Sequence, residues 1–389
     1  MTRIAFIINF NSRKWLGGFN FILNLIKSLS LLKNKKIKLI LIVDKKFDSN
    51  VVKNYDLEIV KTNFFSHESF TKRIFNKFLI FFFGKSFIYD NFFKYHKIDV
   101  LSHYNTPLGK KSDIKNFPWL TDLQFLHYPQ NFSFKNRILK KINIKLLGSH
   151  SDKIILSSKN ARKDLKKISV GAYNNSVVNS FTFGLLNLKE ILSLNKLKKK
   201  YKIKKNFFYL PNQYFVHKNH IIVIKALNQI LREKKNKNIT IISTGHNSDH
   251  RNLNHFKKIV KYIKNYNLKK NYIYLGIVPY QDMMSLIYHS IGIINPSKFE
   301  GWSSSVEQAK SMGKKIILSD LPVHREQKPN RAKFFKSNDF KKLSKILRIE
   351  WVRHDQNREK KIYHKSYGIL EKRLIKFANN YLKIITKNL

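Results

Sequence analysis

The chain has 389 residues and sets 76 Lys and Arg against 24 Asp and Glu, a formal charge of +52. That length exceeds one ordinary hydrophobic core and suits two domains of average size, and the absence of cysteine excludes disulfides, thiolate metal sites and a cysteine nucleophile. So basic a surface attracts polyanions, whether nucleic acid, nucleotide phosphates or an anionic bilayer, and charge alone does not choose among them.

Ile4 to Ile8 reads as a buried strand. It is too short for a signal-peptide core, and no apolar run reaches the roughly 20 residues of a membrane span, so a cytoplasmic location is expected. Trp15-Leu16-Gly17-Gly18-Phe19 then leads into a helical pattern carried by Phe21, Leu25 and Leu29. A strand, a Gly-Gly loop and a helix suit a phosphate or ligand cradle; a pair of turn glycines is the plainer alternative, because the three-glycine dinucleotide fingerprint is incomplete. Ile37 to Val43 is a second strand, and an alternating α/β pattern has begun.

Between Asn63 and Tyr95 phenylalanines alternate with basic residues such as Lys72, Arg73, Lys77 and Lys85. Phe70, Ile74, Phe78 and Phe81 share one helical face. This is the pattern of an interfacial membrane helix, and equally that of a core helix whose lysines snorkel. Single-stranded nucleic acid also suits aromatic and basic residues, but no nucleic-acid-binding motif accompanies them, so no nucleic-acid partner is expected.

Asp99 to His103 looks like a strand end. In the segment Trp119 to Pro129, Asp122, Gln124 and His127 are placed to orient a polyhydroxylated ligand, while His127 reads equally as a structural histidine. A strand from Lys153 to Leu156, a Ser157-Ser158 cap and a helix from Asn160 to Ile168 follow, and Val177 to Phe183 carries the crossing to a second domain. The α/β pattern then restarts with strands at 207–210, 239–243 and 272–275 and helices at 221–231 and 281–288. Lys218 falls on a strand-to-helix loop, where its ammonium is within reach of a diphosphate. The tail from Lys361 to Leu389 is helical and basic, suited to folding back on the first domain.

The richest stretch is Asn295 to Gln327, NPSKFEGWSSSVEQAKSMGKKIILSDLPVHREQ. An apolar run from Ile291 to Ile294 stops at Asn295-Pro296, a polar loop carries Glu300 and Gly301, a short helix runs to Gly313, and a second apolar run covers Ile316 to Leu318. In a parallel sheet such a loop lies at the carboxyl ends of the strands, and the helix N-terminus offers free N–H groups to an anion. Ser304 with Glu307, or Ser305 with Gln308, satisfies the capping-box spacing. Helical phase puts Val306, Ala309 and Met312 on the packed face with Gln308 at its border, and leaves Glu307 as a cap partner or solvated carboxylate.

This stretch resembles the signature of retaining glycosyltransferases of family four. The segments YLPNQYFVHKNH and WLTDLQFLHYP and the Gly-Gly loop resemble the same family in the same order, from Ile4 to about Phe335. The resemblance implies an α/β, GT-B fold: two Rossmann-like domains with parallel sheets facing a central cleft. These are expected at residues 1–182 and 183–360, with 361–389 as a basic C-terminal helix. It further implies that Glu300 contacts the hydroxyls of a nucleotide-sugar donor, that the amides of Gly301, Trp302 and Ser303 meet its phosphates, and that Lys218 meets the diphosphate. Asn212 would stand near the diphosphate, Gly276 and Val278 near the base, and Gly17, Gly18 and His127 would contribute from the first domain. The chain departs from the family at two positions, with Gln308 where a ribose-binding glutamate is usual and Gln213 where a basic residue is usual.

Glycoside hydrolases generally place two carboxylates about the scissile bond, and no second carboxylate joins Glu300 in this set. Transfer with retention can run on one face of the sugar, the leaving phosphate taking the proton of the incoming hydroxyl, and needs neither an enzyme nucleophile nor a metal nor a cofactor. The expectation is a metal-independent hexosyltransferase at the inner face of the cell membrane. Its acceptor would be a growing, lipid-linked cell-surface glycan such as lipopolysaccharide or capsule. The alternative is a catalytically weakened sugar-nucleotide- or glycan-binding protein of the same fold.

Overall fold

A computed structural model of the chain describes residues 1–9, 16–65, 70–184, 188–203, 206–233, 238–249 and 251–387. Two compact units emerge, one formed by residues 1–181 with 372–389, the other by 182–371.

In the first unit the strands β1 (Thr2–Ile8), β2 (Ile37–Val43), β3 (Glu58–Lys61), β4 (Val100–Ser102) and β5 (Lys115–Phe117) form a parallel sheet of order β3-β2-β1-β4-β5. β6 (Trp119–Leu120), β7 (Ile154–Leu156) and β8 (Ser176–Val178) form a second parallel sheet in that order. One residue, Pro118, separates β5 from β6. Proline has no N–H to give a ladder, which breaks the pairing at this point, although the Pro118 carbonyl still accepts from the Ile155 amide at 2.8 Å. The near-continuous apolar runs Ile4 to Ile8 and Leu39 to Val43 are buried throughout, as parallel strands covered on both faces require. Ser158 caps the Lys159–Lys166 helix by accepting from the Ala161 amide at 3.0 Å.

The second unit holds one parallel sheet of six strands, β9 (Phe208–Pro211), β10 (Ile241–Thr244), β11 (Tyr272–Tyr274), β12 (Ile293–Asn295), β13 (Ile316–Ser319) and β14 (Ala332–Phe335), in the order β11-β10-β9-β12-β13-β14. The doubly wound order reverses between β9 and β12, and ligand crevices form outside the carboxyl ends of strands at such a reversal. The helix expected from Lys361 begins at Gln356 and runs to Thr386. Its residues from Lys372 on belong to the first unit, where the Tyr381 hydroxyl donates to Ser102 Oγ at 2.7 Å.

The Asn63–Tyr95 region forms two helices, Phe70–Phe83 and Phe87–Tyr95. Of the two readings its sequence allowed, the core helix is not the one found. Ile74, Phe75, Phe78, Phe81 and Phe82 are all at least half exposed, and the buried side is made by Asn76, Leu79 and Ile80. Trp15 lies outside the described residues, as do the side chains of Phe70, Lys72 and Arg73.

Candidate functional site

β9, β12, β13 and β14 run parallel, so the loops that follow them share one edge of the second sheet. Asn219 fastens three of these loops together. Its side-chain amide donates to the Pro296 carbonyl at 3.1 Å and to the Ser337 carbonyl at 2.8 Å, from a backbone at φ +57° that asparagine tolerates better than most residues. Lys218, just before it, therefore projects from a fixed loop.

Lys218 Nζ reaches both oxygens of Glu300, at 2.7 and 2.8 Å. Glu300 is 8% exposed, and burial by itself would raise its pKa. The Lys218 ammonium and the nearby His324, with hydrogen bonds from Lys218 and Ser297, outweigh burial and hold the carboxyl at about 2. Its two oxygens are used unequally. Oε1 accepts from Lys218, from Ser297 Oγ at 2.7 Å and from Asn295 Nδ2 at 3.3 Å, whereas among the described residues Oε2 accepts from Lys218 alone. A carboxylate offers about four acceptor sites, so Oε2 keeps capacity for a ligand hydroxyl.

Asn295, the last residue of β12, organises this loop. Its Nδ2 donates to Glu300 and to Ser303 Oγ (2.8 Å), while its Oδ1 accepts from Ser297 Oγ (2.7 Å) and from Asn212 Nδ2 (3.4 Å). His324 lies fully buried, and burial holds its pKa below the usual histidine value. Its Nδ1 donates to the Ser319 carbonyl at 2.8 Å, which fixes the tautomer. Sequence reasoning passes over Asn295, Ser297, Asn219 and His324. Their one signal is an asparagine and a serine on either side of a proline at the end of an apolar run.

The helix after the loop runs from Ser304 to Ser311 with Ser303 as N-cap, and neither expected capping box forms. The Ser303 hydroxyl bonds Asn295 and Ser305 instead of the helix, so among the described residues the first-turn N–H groups of Ser304 and Ser305 remain open to an anion. The amide of Ser303 itself is engaged by Gln327 Oε1 at 3.4 Å. At the other end Gly313, at φ +63°, closes a Schellman motif: its N–H donates to the Lys310 carbonyl and that of Lys314 to the Ala309 carbonyl.

Glu307 departs from the sequence reading. It is 1% exposed and accepts from Lys310 Nζ at 2.8 Å and Gln327 Nε2 at 2.9 Å, so it is neither a cap partner nor solvated. Helical phase failed because the helix is covered on more than its packed face. The turn at Gln327 lies against one side, and the segment at Phe183 accepts from Ser311 Oγ at 2.7 Å on another. Gln308 is 4% exposed, with no side-chain hydrogen bond among the described residues.

Glu300, Lys218, Ser303 and Asn212 are thus joined by one hydrogen-bond network, with Gly301 and Trp302 in the same loop and Gln213 next to Asn212. Gly276 and Val278 follow β11, at the far edge of the sheet, where the Gly276 carbonyl accepts from the Gly245 amide at 2.9 Å. In the first unit, Gly17 and Gly18 lie in the first turn of the Leu16–Ser30 helix, not in a loop before it. His127 Nε2 bonds the buried Asp164 at 2.6 Å, and Asp164 also takes Lys167 Nζ at 2.7 Å.

Two parallel-stranded α/β units, with polar loops gathered at the carboxyl edge of the second sheet, are the architecture of the GT-B fold. Solved structures of this fold align along the whole chain. They include the sucrose-phosphate synthase of Thermosynechococcus elongatus (12% identity, TM-score 0.71, 100% of both chains). HepE of Anabaena in complex with UDP and glucose aligns at 14% identity and TM-score 0.69 over 100% of both chains. The lipopolysaccharide outer core galactosyltransferase WaaB aligns at 15% identity and TM-score 0.60, again over 100% of both. No curated protein matches the chain. Residues 194–368, most of the second unit, match the family model of glycosyl transferases group 1.

Proposed function

We propose that the protein is a retaining hexosyltransferase that moves a sugar from a nucleotide-diphosphate-sugar to a growing, lipid-linked cell-surface glycan at the inner face of the membrane. The observation that carries this reading is the Lys218–Glu300 pair, held at the sheet edge beside the uncapped start of the Ser304–Ser311 helix. In this reading Glu300 Oε2 accepts a hydroxyl of the donor sugar. Lys218 and the first-turn amides meet the charge that grows on the departing diphosphate, an arrangement that acts most strongly where water is excluded. The leaving phosphate takes the proton of the acceptor hydroxyl. No residue then has to attack the sugar, and no metal is assigned a role.

HepE was solved with UDP and glucose, and WaaB is a lipopolysaccharide galactosyltransferase; the first supports a nucleotide-sugar donor and the second a lipid-linked acceptor. The large positive charge favours an anionic membrane surface. Incubating nucleotide-sugars with wild-type protein and Glu300→Ala tests the reading. Turnover by the wild type that collapses in the variant supports it, and donor binding without turnover in either removes it.

That last outcome would favour a second reading, a donor- or glycan-binding protein with weakened catalysis. The specific observation behind it is Gln213. With an amide where a cation is usual, and with Lys218 already neutralised by Glu300, less positive charge faces a diphosphate.

A further inference from the structure

We propose that the Phe70–Phe83 helix is a bilayer-docking element whose outward aromatic face enters the interfacial layer of an anionic membrane. The proposal rests on the membrane assignment above and names the surface that makes the contact.

Surface helices of globular proteins turn their apolar stripe inward and their charge outward. This helix reverses the rule. At 100° per residue, Ile74, Phe75, Phe78, Phe81 and Phe82 fill a continuous arc of about 120°, and every one of them is at least half exposed, Phe81 by 80%. The opposite arc, Asn76, Leu79 and Ile80, is buried, with Asn76 Nδ2 anchored on the Pro107 carbonyl at 3.3 Å. Among the described residues the ring contacts of this face are with one another, Phe78 with Phe82 at 4.4 Å and Phe81 with Phe82 at 5.0 Å between centroids. At about 200 Å² per phenylalanine they leave on the order of 600 Å² of apolar surface in water, at or above the largest patch of a typical monomer.

Charge complementarity selects the occupant. From Phe70 to Tyr89 the chain contains no Asp or Glu. Lys77 borders the exposed arc, and the helix ends at Gly84, whose carbonyl accepts from the Lys111 amide at 3.0 Å. That bond sets Lys85, Lys110 and Lys111 around one end of the patch. A second helix, Phe134–His150, also lacks any acid and exposes Phe134, Ile138, Leu139 and Ile142 among Lys140, Lys141 and Lys145. Its Asn143 Nδ2 donates to the Asn105 carbonyl at 3.5 Å, two residues from the carbonyl that holds Asn76, so the two helices grip the same short loop. Apolar rings within a cationic border fit the interfacial layer of a bilayer rich in anionic lipid. At 14 residues the Phe70–Phe83 helix is about 21 Å long, short of the ~30 Å hydrocarbon core, and therefore lies in the membrane plane. Among the described residues no helix is long and apolar enough to cross.

Co-flotation of the full chain with phosphatidylcholine vesicles, with and without phosphatidylglycerol, tests the proposal. The variants are Phe78→Ser/Phe81→Ser and, separately, Lys140→Glu/Lys141→Glu, and a UDP-induced thermal shift monitors the donor site independently. Wild type should float with the anionic vesicles. Losing two rings that would insert into the bilayer should weaken partitioning by about a hundredfold, the lysine variant should bind less and with a shallower salt dependence, and UDP binding should be unchanged in both. Brominated lipid should quench the extra indole fluorescence that a Phe81→Trp variant shows over wild type. The proposal is overturned if Phe78→Ser/Phe81→Ser floats like wild type, if that extra fluorescence is not quenched, or if the wild type is a dimer that the ring variant dissolves, which would make a second copy the occupant. Binding to single-stranded nucleic acid that the ring variant abolishes, without vesicle binding, would also overturn it.

Discussion

The loop and helix from Asn295 to Gln327 and the helix from Phe70 to Phe83 break the ordinary partition of residues in opposite directions. The first buries charge: Glu300 and Glu307, seven residues apart, are both nearly inaccessible and both paired with lysine. The second leaves phenylalanine in water. Buried polar groups and large exposed apolar patches are the departures that carry information, and here each falls where a ligand of complementary chemistry is inferred. The contrast also separates stability from function. Deleting a buried charge partner strands its mate, whereas trimming an exposed ring removes little more than its contacts with neighbouring rings.

Glu300→Ala is expected to give the largest effect, a fall in turnover of about 10²–10³-fold, read from steady-state kinetics with saturating donor. Its counterpart Glu307→Ala should destabilise the fold without a comparable loss of turnover per folded molecule. Equal kinetic losses would erase the distinction between the two carboxylates.

Acid titration tests the first region next. Because the folded-state pKa of Glu300 is lowered from 4.5 to about 2, the stability it contributes is fully present above about pH 4.5 and is lost as the pH falls toward 2. The amount is on the order of 3 kcal/mol. Denaturant melts across this window should show a steeper decline for wild type than for Glu300→Gln, and parallel declines would refute the assignment.

Gly109→Ala probes the support of the second region. At φ +103° a side chain is strained, and its Cβ would lie 2.2 Å from the Gly84 carbonyl oxygen, so a loss of about 2 kcal/mol or more is expected from thermal melts. Asn295→Ala should cost about 1–3 kcal/mol, since it leaves Ser297, Asn212 and Ser303 short of partners. The smallest effect belongs to Phe78→Ser/Phe81→Ser in solution, whose stability should shift by no more than about 0.5 kcal/mol; a marked loss would show that the rings hold the fold together and do not only touch one another.

Much of the fold was legible because it depends on local signals. Apolar runs bounded by Gly, Pro and Asn located most of the long strands to within two residues. The Ser157-Ser158 cap and the Gly313 terminator were read from chemistry that acts within one helical turn. The short strands β3, β5, β6, β8 and β14 escaped, since two to four residues carry too little periodicity to be told from loop. Glu300 and Lys218 were likewise readable as a glutamate and a lysine on two strand-to-helix loops, together with the resemblance those segments bear.

Residue type and spacing were enough to establish the alternation of elements, the parallel α/β class and the kinds of side chain offered at the sheet edge. Folding in three dimensions settled which groups meet across 82 residues, as Lys218 and Glu300 do, and which faces are covered. The reason is physical. Helical phase specifies which residues share a side but not what lies against it, so Glu307 read as a cap partner or solvated carboxylate and proved buried, and the Phe70–Phe83 face read as core or interface and proved open to water.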